Sequence, residues 1–112
     1  MQIVFLFFKL LIGHALCDYP LQGDFLSKGK NHKNPIPGVP WYWCLSAHAL
    51  IHAGMVWFLT GFWFLGLVEF LYHGVIDYMK YNGNFGFSVD QSLHIACKVI
   101  WCLIVLLIFK IG

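Results

Sequence analysis

Histidine and aspartate stand four residues apart at His14/Asp18, His73/Asp77 and Asp90/His94, and two histidines stand four apart at His48/His52. In an α-helix that spacing puts both side chains on one face. Imidazole and carboxylate together form the donor set of zinc, iron and manganese sites. The same groups also relay protons across membranes. Eight donors exceed what one tetrahedral ion takes. They suit two ions, or one ion with outer partners and a general base. A lone pair of this kind is ordinarily a hydrogen-bonded pair within its helix. Four pairs, one in each apolar segment, point to a metal site: His14, Asp18, His48, His52, His73, Asp77, Asp90 and His94 as ligands, zinc first and iron or manganese next, one or two ions.

The elements that must position these donors follow from composition. Of 112 residues, 60% are hydrophobic, 19% aromatic and 11% charged, with mean hydropathy +0.72. Soluble domains carry about 25% charged residues, so the class is integral membrane protein. The length allows one domain, residues 1–112, and leaves no room for a separate soluble catalytic unit. Apolar segments fall at about 2–22, 41–59, 62–81 and 88–111, each near the roughly 20 residues that cross a bilayer as a helix. A spanning segment must satisfy its own backbone groups. The expected fold is therefore all-α, an integral membrane four-helix bundle. The skeleton His-x-x-x-Asp-Tyr occurs in both "HALCDY" (14–19) and "HGVIDY" (73–78), which suggests two repeats of a two-helix unit.

Between the segments, "GDFLSKGKNHKNPIPGVP" reads as an exposed loop, Gly61 as a tight hairpin and "NGNFG" as a turn. "WYW" (41–43) reads as an interfacial anchor. The N-terminal run lacks a charged start, and His14 precedes the position where a cleavage site would need a small residue, so it reads as a retained helix. Cys17, Cys44, Cys97 and Cys102 lack C-x-x-C spacing and read as small core hydrophobes.

All basic residues are lysines, and the formal net charge is +2. No basic run suggests nucleic acid. Lys28, Lys30 and Lys33 lie between segments one and two, and Lys80 between three and four. The positive-inside rule puts both loops in the cytoplasm and the termini outside, in the periplasm. All four donor pairs then share one depth, in the half facing the lysine loops. Glu69 extends the stripe of segment three one turn deeper, as general base or as acceptor to His73. Asp24 is the alternative base at the mouth. Lys28, Lys30, Lys33 and Lys98 are candidates to steer or hold an anionic head group, with Gln22 and Gln91 orienting substrate or ligands.

At "LLIGHALCDYPLQGDFLSKGKN", "SAHALIHAG", "FLYHGVIDYMK" and "FSVDQSLHIA" the chain resembles the bacterial and phage membrane protein family of unknown function DUF3307, over nearly its whole length. The resemblance implies a membrane location, the bacterial inner membrane, and a bacterial or phage origin. It implies no activity. The helical His/Asp pattern is also similar to that of membrane-bound metal-dependent hydrolases, an analogy rather than a kinship.

The expected function is a small membrane metal-dependent hydrolase acting on a lipid-linked phosphoester or pyrophosphate at the cytoplasmic leaflet. The expected partners are lipid and membrane, with a homo-oligomer compatible. A metal-ion or proton transporter or relay is the alternative, and should continue the polar path to the opposite face. A non-enzymatic phage membrane protein, holin-like or an exclusion factor, is the second alternative and leaves four ligand pairs without a purpose.

Overall fold

The computed structural model describes residues 2–111 and contains, among them, five helices and no strand. Helix α1 covers Gln2–Asp18, α2 Gly23–Gly29, α3 Trp41–Thr60, α4 Trp63–Tyr81 and α5 Phe87–Ile111. The first helix is shorter than the 2–22 read from hydropathy. Pro20 brings no amide donor and disfavours helix at the residue before it, so α1 stops at Asp18. The chain turns through Gly23 (φ 63°) and α2 leaves at 82° to α1. The stretch expected to be a wholly exposed loop therefore begins with a helical turn pair. It also buries Gly29 and Lys30.

The α3–α4 hairpin forms where expected. Gly61 caps α3 at φ 79°, and its amide donates to Trp57 O at 2.8 Å. A left-handed residue at this position favours glycine, which carries no Cβ penalty. Farther along, Gly66 of α4 meets α3 so closely that a Cβ on it would lie 2.8 Å from Ala53 O. Helix α3 packs against α4 and α1, and α5 packs against α1 and α4. The product is an elongated body of 49 × 23 × 21 Å. Helix α5, with 25 residues, runs about 37 Å at 1.5 Å per residue.

The segments are not four equal spans. Helices α3 and α5 are long and apolar enough to cross a membrane, and α1 with α2 makes a third if that bent pair is one span. Helix α4 carries Glu69, Asp77 and Lys80 and is the least apolar of the four long helices. What it lacks in lipid affinity it turns inward: Glu69, His73 and Asp77 are all buried.

The distribution of polarity is inverted relative to a soluble protein. Phe5, Phe8, Trp43, Phe58, Trp63 and Phe109 are exposed, while His48, His52, Glu69, His73, Asp90 and His94 are buried. An apolar exterior around a polar interior suits lipid as the surrounding solvent. The apolar core occupies the other half of the body, where Leu10, Val56, Leu65, Trp101 and Val105 pack together.

Candidate metal centre

The four long helices bring six of the eight expected donors into two candidate groups, and leave His14 and Asp90 outside both. Asp18 from α1, His48 and His52 from α3 and His73 from α4 offer ligand atoms within 4.8 Å of one another. A second group, His73, Asp77 and His94, adds α5 and meets the same limit. The imidazoles converge through Nε2. His52 Nε2 lies 2.8 Å and His48 Nε2 3.2 Å from Asp18 Oδ1. His73 Nε2 lies 3.9 Å from the same oxygen and 3.1 Å from His48 Nε2. Ligand atoms 2.0–2.1 Å from a tetrahedral zinc ion stand about 3.3 Å from one another. The observed separations bracket that value. The donor set of one carboxylate and three imidazoles therefore fits a divalent ion in chemistry, number and spacing.

On the other side of His73, Asp77 Oδ1 lies 3.3 Å from His94 Nε2, and Asp77 Oδ2 lies 3.4 Å from His48 Nε2 and 3.5 Å from His73 Nε2. Asp90 Oδ1 lies 3.4 Å from His94 Nε2. An imidazole nitrogen has one lone pair and serves one ion. The two groups thus compete for His73.

His14 and Gln91 close the α1–α5 side. His14 Nε2 lies 3.3 Å from Asp18 Oδ2 and 3.1 Å from Gln91 Oε1. The Gln91 amide donates to Asp18 Oδ2 at 2.9 Å and to Asp90 Oδ2 at 3.1 Å, and its oxygen accepts from Tyr19 OH at 3.3 Å. Gln91 is therefore a strut between two of the carboxylates. Gln22 donates to the Asp18 carbonyl at 2.8 Å, securing the turn into α2.

Glu69 lies one turn deeper, as its place in the stripe required. It accepts from Lys98 Nζ, from Trp101 Nε1 at 3.0 Å and from Cys97 Sγ at 3.1 Å. Its Oε1 also stands 3.6 Å from His73 Nδ1. Three donors therefore occupy Glu69, and its approach to His73 Nδ1 is longer than a hydrogen bond. Lys98 is buried with its ammonium on Glu69 and does not reach toward a head group. From sequence Cys97 reads as a small core hydrophobe, and nothing marks Trp101 as a polar partner. The signal for them was the continuation of the Asp90–His94 stripe by further helical turns of α5.

The lysine loop behaves differently from a surface patch. Lys28 and Lys33 are exposed, as is Asp24, and none is brought into either donor group. Lys30 is buried, and its Nζ donates to Asp77 Oδ2 at 2.8 Å. The loop is fastened down around it. Tyr81 OH donates to Ser27 O at 3.2 Å, and the His32 ring stacks on Tyr78 with centroids 3.8 Å apart. No periodic pattern in the sequence distinguishes Lys30 from Lys28.

These features define a class: an all-helical chain with an apolar exterior, helices suited to a membrane, and a buried His/Asp cluster near one end. Within that class the chain belongs to the DUF3307 family, described as protein of unknown function, whose model matches residues 6–110. No curated protein and no solved structure matches it.

Proposed function

We propose that the protein is a small membrane metal-dependent hydrolase whose centre is held by all four long helices, packed as a four-span bundle. The observation that carries this reading is the convergence of His48, His52 and His73 Nε2 on Asp18 at tetrahedral ligand spacing. A divalent ion at such a set supplies charge stabilisation of a scissile phosphoryl group and makes a water acidic near neutral pH. The chain's own groups hold and orient: Gln91 fixes Asp18 and Asp90, and Glu69 faces His73 Nδ1. In the four-span arrangement the lysine-bearing loops face the cytoplasm. The substrate class is a lipid-linked phosphoester or pyrophosphate entering from that leaflet. The packing order sets α1 opposite α4 and α3 opposite α5, the pairing that two repeats about an axis along the membrane normal would have.

A transport or relay path would need polar groups across the whole thickness. Beyond Glu69 and Lys98 the interior is Leu10, Val56, Leu65, Trp101 and Val105, which supports a closed site. The test is phosphate release from lipid-linked phosphates and pyrophosphates by protein purified in detergent and loaded with zinc or manganese. The expected result is metal-dependent turnover that falls in Asp18→Asn and His48→Ala by more than the roughly 10–100-fold typical of losing an outer partner. Absence of turnover across the substrate panel from metal-loaded protein would overturn hydrolysis.

A further inference from the structure

The clustered carboxylates are not equivalent in their counter-charges. Glu69 has the Lys98 ammonium, Asp77 has Lys30 at 2.8 Å and Asp90 has Lys80 at 3.7 Å. Of these four clustered carboxylates, Asp18 alone has no lysine within 4 Å; it faces imidazoles and the Gln91 amide. The Asp18 side chain is only 10% exposed, and a carboxylate so largely covered with no ammonium beside it is poorly compensated in a medium of low dielectric. The remaining demand for a cation is therefore at Asp18, in the group that already has tetrahedral spacing.

The second donor group has its cation already. Lys30 is 4% exposed, arrives from the end of α2, and places its ammonium on Asp77 Oδ2. That is the oxygen that also faces His48 and His73. A divalent ion on Asp77 and His94 would have to share Asp77 with this ammonium, or displace it. It would also have to take His73 from the first group. Two divalent ions and an ammonium a few ångströms apart would repel strongly with little water between them.

We infer that Lys30 is a tethered cation filling the second subsite, so that the centre binds one divalent ion, on Asp18, His48, His52 and His73. This rests on the metal-centre reading above and adds its stoichiometry and the device that sets it. The α2 helix and its loop thereby become part of the centre, since they carry the ammonium that takes the place of a second metal. Removing the charge while keeping the length of the side chain should open Asp77, Asp90 and His94 to a second ion. Arginine at the same position should keep it closed.

The experiment is an equilibrium zinc titration of the full chain, stripped by chelator in detergent, with helical content monitored by circular dichroism. The wild type should bind one equivalent, Lys30→Met two, and Lys30→Arg one. Two equivalents in the wild type, or one in a folded Lys30→Met, would overturn the inference and leave the metal centre standing. No zinc in the wild type would instead overturn the centre itself. A second comparison does not depend on the folding of the Lys30 variants. Asp77→Asn should keep the single equivalent with the smaller loss of affinity, and Asp18→Asn should lose more than the roughly 10–100-fold typical of removing an outer partner. The reverse ranking would overturn the assignment of the ion to Asp18.

Discussion

At the scale of the residue, the clustered carboxylates differ in their partners, and substitution should reveal what each partner contributes. Gln91 donates to both Asp18 and Asp90. Gln91→Ala leaves one acceptor on each short of a partner, a loss of about 1–3 kcal/mol per buried group. Thermal unfolding in detergent should show it as a lowered midpoint, with metal still bound. Glu69→Gln strands the Lys98 ammonium in the interior, and breaking a buried pair by removing one partner costs about 3–5 kcal/mol. The double variant Glu69→Gln with Lys98→Met removes the stranded charge and should recover part of the loss; equal destabilisation of single and double variants would contradict a paired Glu69–Lys98. The i, i+4 spacing made His14, Asp18, His48, His52, His73, Asp77, Asp90 and His94 legible in the sequence, because helical geometry alone decides which residues share a face. Lys30 was not legible as a buried partner. Its position depends on how a non-periodic loop folds back over Asp77, and nothing local distinguishes it from Lys28 or Lys33.

At the scale of the element, the long helices were legible from hydropathy and punctuation: Pro40 before α3, Gly61 after it, "NGNFG" before α5. The end of α1 and the existence of α2 were not. Seven residues of helix within a Gly- and Lys-rich stretch give no clear period, and what holds α2 is tertiary, through Tyr81 on Ser27 O and Lys30 on Asp77. The α3–α4 hairpin supports both donor groups, since three of the five clustered histidines sit on it. Its close approach depends on Gly66, where a Cβ would meet the backbone oxygen of Ala53 at 2.8 Å. Backbone cannot step aside as a flexible side chain can, so Gly66→Ala should destabilise by about 1–3 kcal/mol through overpacking and should loosen the centre by parting α3 from α4. A lowered unfolding midpoint together with weaker zinc binding is the expected pair of results. An unchanged midpoint would show that the helices separate without cost.

At the scale of the whole molecule, the inverted polarity makes the bilayer the natural solvent, and the centre lies toward the end that carries the lysine loops. If those loops face the cytoplasm, cysteines placed at Asn34 and Asn84 should react with a membrane-impermeant maleimide only after the cells are opened. A cysteine placed at Trp63, exposed beside the hairpin at the other end, should react in intact cells. Labelling of all three from one side would contradict the four-span arrangement. The central claim is more specific than topology: one divalent ion is bound by Asp18 and the three imidazoles of His48, His52 and His73. X-ray absorption at the zinc edge of the purified, zinc-loaded chain tests it most directly. The account predicts a first coordination sphere at about 2.0–2.1 Å containing three imidazole nitrogens, with one of them lost in His52→Ala. A sphere dominated by sulfur, or by water oxygens with no imidazole scattering, would contradict it.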